Sequence, residues 1–213
     1  PVSWSEDLKL MKQSGLTVAE MLQLCPADYE YTEEHWRFFD GFIQLCADQR
    51  LTYMAGLLIG KNVCIDNDTL KKQQALCRSF AERYKNVPDL IYYLNGDFRL
   101  DLADTEDIRV LWNQFLATRY ADAASLNEAW KSEGFPAPGA VPVQEYAAQG
   151  WYDLHARDLN EFKALLMNGW IQALIDAIRE EDPHHPITSE YYQHPFSGID
   201  LRNSLGGQYA SNF

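Results

Sequence analysis

The chain has 213 residues, 46% of them hydrophobic and 23% charged, which places it with folded globular proteins and away from disordered or fibrous chains. Eighteen basic against 31 acidic residues give a formal net charge of -13, a field that repels phosphate backbones and excludes nucleic acid as an expected partner. No apolar run reaches the ~18 residues of a membrane-spanning helix, so no membrane partner is expected either.

The chain opens on Pro1 without a basic, apolar leader, which is expected to reflect removal of something upstream and leaves the compartment open. Residues 5–15 begin with Ser5, Glu6 and Asp7 and close on Gly15, which predicts a short helix with Leu8 and Met11 inward. Residues 16–22 suit either more helix or the strand that follows a helix in an αβ repeat. Thr32, Glu33 and Glu34 then cap a helix ending near Arg50, in which Trp36, Phe39, Phe42, Ile43 and Cys46 recur at helical spacing. Residues 51–60 are nearly continuous in apolar character, the pattern of a strand buried on both faces.

The unit then repeats. A polar loop over 62–68 leads into a helix over 69–85 with Leu70, Ala75, Leu76, Phe80 and Tyr84 on or near one face, and residues 90–94 follow as a strand. Between Asp97 and Trp151 the alternation breaks into helices over 107–120 and 126–130 and a Pro-rich loop over 136–142. A long helix over 154–181 carries Phe162, Leu165, Leu166, Trp170, Leu174, Ile175 and Ile178 as its apolar stripe. Asp182-Pro183-His184-His185-Pro186 ends it, residues 187–192 form another strand, and residues 206–213 are the place for the start of one more. Strands joined by helical crossovers predict a parallel α/β sheet, met equally by doubly wound folds and by (β/α)8 barrels.

Neither G-x-G-x-x-G nor G-x-x-x-x-G-K-[ST] follows any strand, so no nucleotide cofactor is expected. Cys25, Cys46, Cys64 and Cys77 stand 21, 18 and 13 residues apart with apolar neighbours, which predicts buried free thiols. Pairing Cys25 with His35 or Cys77 with His155 as a thiol nucleophile has no local signature behind it. His184, His185 and His194 read as a helix terminus and its surroundings rather than as metal ligands, so no metal is expected.

In parallel α/β folds, ligands gather at the carboxyl ends of the strands. Those ends supply Lys61 and Asn62, then Asn95, Gly96 and Asp97, then Glu190, Tyr191 and Tyr192. A carboxylate among aromatic rings has its pKa raised by desolvation and serves as a proton donor near neutral pH, with a second carboxylate across the cleft as nucleophile or base. The alternative for Asp97 is a turn residue bonded to local backbone, and for Glu190 a carboxylate paired with a cation. Among the rings of the interrupted region, Trp112 and Phe115 have core spacing, whereas Trp151 and Tyr152 beside Gly150 are the better sugar-stacking candidates. Asn212 is a further candidate substrate contact.

Four segments in order carry a resemblance. Residues 3–15 resemble the W-x-E-D-hydrophobic-x-x-M-K-x-x-G stretch that follows the first barrel strand in clan A glycoside hydrolases, especially the β-galactosidases of family 42. Residues 39–47 are similar to their second helix. Residues 112–120 with 126–130, a W-x-x-F-L-x-x-R-Y…L-N-x-A-W pattern, are similar to their insertion after the fourth strand, and residues 182–188 to their helix-to-fifth-strand junction.

The resemblance implies a (β/α)8 TIM-barrel type, incomplete here. Residues 1–213 would be a partial barrel holding strands two to six, with a helical and loop insertion at about 98–152. It implies retaining hydrolysis of an O-glycosyl bond in an oligosaccharide or glycoside, β-galactosidase-like or exo-acting. The strand ending at Leu94 would be the fourth, whose end normally carries Asn-Glu with the Glu as acid/base. Here it reads Asn95-Gly96-Asp97, so Asp97 is the candidate acid/base and Asn95 the candidate partner of the sugar 2-hydroxyl. Glu190 is a candidate for substrate binding or catalysis, and Asn62, Tyr192 and Trp151 for substrate binding. The nucleophilic Glu of the seventh strand is expected outside this chain, which alone is then expected to be inactive. A non-catalytic carbohydrate-binding relative is the alternative, and a homo-oligomer stays open for the full-length protein.

Overall fold

The computed structural model describes residues 2–21, 25–59, 61, 63–94, 100, 102, 104–143 and 153–189. Within them the order is α1 (Val2–Gln13), β1 (Val18–Met21), α2 (Glu33–Asp48), β2 (Thr52–Leu57), α3 (Asn67–Tyr84), β3 (Leu90–Leu94), α4 (Glu106–Ala117), α5 (Ala123–Trp130), α6 (Leu154–Arg179) and β4 (Ile187–Ser189). Within residues 16–22, open between helix and strand, Val18–Met21 form the strand β1.

Local chemistry sets the helix starts. Thr32 and His35 form a reciprocal capping box at α2, and Thr105 caps α4 through the backbone N–H of Ile108. The carboxylate of Asp66 accepts from the backbone N–H groups of Asp68 and Thr69, so α3 begins two residues before the expected Thr69. Two residues assigned to apolar stripes face solvent instead. Ala75 is exposed, and so is Leu165 at 56%, each on the outer side of its helix.

All strands are parallel, and their spatial order β1-β2-β3-β4 follows the chain order. Right-handed crossovers that always step in the same direction deposit every helix on the same face, whereas a doubly wound sheet reverses direction and covers both. Burial agrees with the one-sided arrangement. Ala19, Tyr53, Ala55, Leu57, Leu90, Tyr92, Leu94 and Ile187 are buried on the helix side, where Phe42 meets Tyr53 and Phe80 meets Tyr92 edge-on. Their neighbours on the other face are exposed at Val18 and Glu20 and half-buried at Met54, Ile91 and Thr188, and become buried only toward the carboxyl ends, at Gly56 and Tyr93. The sheet is therefore an arc of a (β/α)8 barrel, incomplete in this chain. Gly56 is required beside β1, since a Cβ there would stand 2.8 Å from the Met21 carbonyl oxygen.

The helix α6 has 26 residues and α3 has 18, about 39 Å against about 27 Å at 1.5 Å per residue. Its second half, from Met167 through Ile178, belongs to the barrel core with Leu76, Phe80 and Tyr92. Its first half, at Leu159 and Phe162, forms a second core with Trp112, Phe115, Leu116, Leu126 and Trp130 of α4 and α5. One long helix thus joins the barrel wall to the helices inserted between β3 and β4.

Candidate functional site

Leu57, Leu94 and Ser189 are register partners across β2, β3 and β4, so these strands leave the sheet at one level on its carboxyl edge. Leu58 turns the chain away from β2 with a φ of 61°, a left-handed conformation that is strained for a branched residue and recurs at ligand-bearing rims. Asn95 and Asp97 follow β3 in the sequence, Glu190 and Tyr192 follow β4, and Asn62 follows β2. These residues, with Trp151, Tyr152 and Asn212, lie outside the described residues. The structure therefore fixes the strand ends from which these candidates continue.

Around that edge the described residues form a connected wall. The Lys61 ammonium lies 4.9 Å from the centre of the Tyr29 ring, a cation–π arrangement. The Tyr29 hydroxyl accepts from Gln73 Nε2 at 3.5 Å, and the buried Gln73 in turn accepts from Trp170 Nε1 at 2.7 Å. The loop after β1, the loop after β2, α3 and α6 are tied together by this relay.

Burial pushes the Cys25 thiol up to about 11, against the pull of Lys61 and with the push of Asp28. Burial also raises Cys77, and His35 is occupied in the α2 cap. Neither cysteine is a thiolate near neutral pH, so thiol chemistry has no nucleophile here. The expectation of four buried thiols is corrected in part: Cys46 and Cys77 are buried, whereas Cys25 and Cys64 are half-buried.

The pattern that stood out between Trp112 and Trp130 is a packing motif. Trp112 stacks on Phe115 and Trp130, with ring centroids 5.6 and 6.3 Å apart, and its ring is fully buried. Asn113 sends Nδ2 to the carbonyls of Arg109 and Val141 and receives the N–H groups of Gly139 and Val141 on Oδ1, which fixes the Pro-rich loop. Asp104 Oδ1 accepts from the backbone N–H of Val143 at 3.2 Å, closing the neck of the inserted segment. Trp130 Nε1, Tyr120 Oη and Arg119 all reach Asp158 on α6. Hydrophobic periodicity selects apolar positions and so passes over Asp158 and Asp104; the donors to Asp158, and Val143 for Asp104, are distant in sequence.

On the opposite edge, Asp182 fastens the turn between α6 and β4. Burial works to raise its carboxyl, but hydrogen bonds from Tyr92 and from His184 and His185 outweigh it and hold the group at about 2. The His184-His185 pair thus belongs to a structural turn on the edge of the barrel that serves stability. Among the described residues, no group of three or more His, Cys, Asp or Glu is placed to hold a metal ion, and no helix is long and apolar enough to cross a membrane.

The glycoside hydrolase family 42 model, described as β-galactosidase, matches residues 58–206, a span that includes the ends of β3 and β4. Similar solved structures include a β-galactosidase from the haloarchaeon Halorubrum lacusprofundi, with a TM-score of 0.68 and 16% identity over 94% of this chain and 36% of that one. A β-galactosidase from the psychrophilic Marinomonas ef1 gives 0.66 and 16% over 89% of this chain and 35% of that one. The catalytic domain of β-amylase from Paenibacillus polymyxa gives 0.66 at 11% identity, covering 95% and 67%. Likeness at such identity speaks for the fold. The chain spans about a third of the length of the β-galactosidases it matches. No curated protein matches it.

Proposed function

Because this chain belongs to glycoside hydrolase family 42, the β-galactosidase family, we propose that the whole protein is a retaining glycosidase that releases a β-linked galactosyl or related residue from an oligosaccharide or glycoside. The observation that carries this reading is the family match across residues 58–206, joined to a parallel arc whose β3 and β4 end at one level. Such a site uses two carboxyls about 5–5.5 Å apart.

Asp97 is assigned as acid/base. Its proton passes to the glycosidic oxygen as the bond to the anomeric carbon breaks, while a carboxylate on a later strand of the whole enzyme attacks that carbon from the other side. Water then hydrolyses the glycosyl-enzyme ester, with Asp97 taking its proton. Asn95 is assigned to the sugar 2-hydroxyl, and Glu190 to a substrate hydroxyl on the neighbouring strand end. Trp151 provides a stacking surface, with Asn62, Tyr192 and Asn212 as further contacts. The insertion is assigned to residues 98–152, with a wall beside the mouth as its assigned role.

Gly96 favours a second reading. It stands where the family pattern has its acid, as in a relative that binds carbohydrate without cleaving it. Incubation of the whole protein with p-nitrophenyl β-D-galactoside, with the anomer of the first-formed sugar read by NMR, separates the two. Release of the β-anomer supports the retaining glycosidase. Binding of oligosaccharide without turnover supports the second reading, and the α-anomer as first product defeats the assigned mechanism.

A further inference from the structure

His155 stands in the first turn of α6, where the long helix meets the inserted helices, and is only 3% exposed. Its ring lies flat on that of Trp130, the last residue of α5, with centroids 3.9 Å apart and planes 11° from parallel. The Phe135 ring stands edge-on to it at 5.4 Å and edge-on to Trp130 at 5.0 Å. Phe135 is fastened back to α5, since its N–H donates to Asn127 Oδ1 and its carbonyl accepts from Asn127 Nδ2. One imidazole of α6 therefore carries both rings by which α5 and its following loop rest on the long helix.

The groups around that imidazole decide what a proton would do there. On α6 they are Asp153, whose carboxylate accepts from the Ala156 N–H, and Asp158. After α4 come Arg119 and Tyr120, both bonded to Asp158, with Arg119 also paired to Glu161. Trp130 of α5 donates Nε1 to Asp158, and neither it nor Phe135 carries a charge. Burial disfavours the charged ring and holds its pKa below the ordinary imidazole value, against the pull of Asp153 and Asp158. Arg119 already neutralises Asp158, and a cation in the first turn of α6 faces the positive end of the helix dipole. These outweigh the attraction of the Trp130 face for a cation.

From this geometry we infer that His155 is a pH-operated latch: the neutral ring holds α5 and the loop at Phe135 against α6, and proton uptake on mild acidification loosens that contact while the barrel arc stays intact. The opened segment takes up its proton near the ordinary ~6.5 and the packed ring only at lower pH. The latch is therefore at full strength above the open-state value, weakens as pH falls below it, and has lost this contribution once pH passes the packed value.

The test follows amide exchange of the whole protein at about pH 7.5 and about pH 5.5, corrected for the intrinsic pH dependence of exchange, over residues 123–135 and, as internal reference, over β2 and β3. The His155 ring is titrated alongside by NMR. Protection over residues 123–135 is expected to fall by about threefold to tenfold on acidification, tenfold being roughly the ceiling one pH unit below ~6.5, with the barrel strands unchanged and the ring titrating below free imidazole. His155→Gln is expected to show equal protection at both pH values; if it does not fold, the wild-type ring titration and the contrast between the two regions carry the test. A ring that titrates at or above the free value overturns the inference. Equal losses in the barrel strands, or a pH dependence that persists in His155→Gln, overturn it as well.

Discussion

Asp182, 1% exposed, sits in the turn that hands α6 over to β4, the strand that Glu190 follows in the sequence. Its carboxylate accepts from Tyr92 Oη at 2.6 Å and from the backbone N–H groups of His184 and His185 at 3.0 and 3.2 Å, and shares a 2.5 Å hydrogen bond with His185 Nδ1. In Asp182→Asn the charge is lost and an amide NH2 replaces one acceptor oxygen, so either the backbone N–H groups of His184 and His185 or the Tyr92 and His185 side chains lose the acceptor they share. Hydrogen bonds to a charged group contribute about 1.5–3 kcal/mol each, and a stranded buried donor costs about 1–3 kcal/mol, which together place the loss near 3 kcal/mol.

The acid titration gives a similar figure by another route. The carboxyl is held at about 2 in the folded state against an ordinary ~3.9 for an unfolded chain, a difference of about 2–3 kcal/mol. Because the folded value is the lower one, this stabilisation is complete above the unfolded value and is lost as pH falls through the folded value. The substitution is therefore expected to lower the melting temperature by roughly 6–12 °C at pH 7, with the gap to wild type shrinking to less than half by about pH 2.5. Denaturant unfolding of both proteins at the two pH values measures it. A gap of the same size at both, or one below about 1 kcal/mol at pH 7, refutes the reasoning.

Gly56→Ala places a Cβ against the Met21 carbonyl and the Ile59 side chain, and is expected to destabilise by about 1–3 kcal/mol in thermal unfolding, since backbone cannot yield as a flexible side chain does. A change under about 0.5 kcal/mol would mean that β1 and β2 sit farther apart at this level. Asn113→Ala removes every side-chain bond that holds the loop at Gly139 and Val141 and is expected to cost about 2–4 kcal/mol, with amide exchange accelerating first over residues 137–143. Acceleration spread evenly over the chain would place the role of Asn113 elsewhere.

The parts of the fold visible in the sequence were those written in apolar pattern. The uninterrupted run around Tyr53 to Leu57 and the segment from Leu90 to Leu94 read directly as buried strands, because a parallel sheet under helices removes the alternation that an exposed face imposes. The four-residue β1 left helix and strand undecided, since so few residues do not separate the two periods. Polar structure was less legible. The pattern from Trp112 to Trp130 marked a feature, but its organising residue, Asp158, lies 28 residues beyond Trp130 on another helix, where only the folded chain brings donor and acceptor together. Asp182 was noticed as part of a helix stop, and its bond to Tyr92, 90 residues earlier, is likewise a product of tertiary structure. The candidate carboxylates were found by the rule that ligands gather where parallel strands end, a rule about topology that needs no contact to be known.

The central claim, that Asp97 supplies the proton for glycosidic cleavage, is tested most directly by kcat/KM of the whole enzyme and its Asp97→Asn variant on methyl and dinitrophenyl β-galactoside. General acid catalysis contributes about 10²–10⁴-fold, so the variant is expected to lose at least about 100-fold on the methyl glycoside and to keep nearly all its rate on the dinitrophenyl one. Undiminished cleavage of the methyl glycoside by Asp97→Asn would contradict the account.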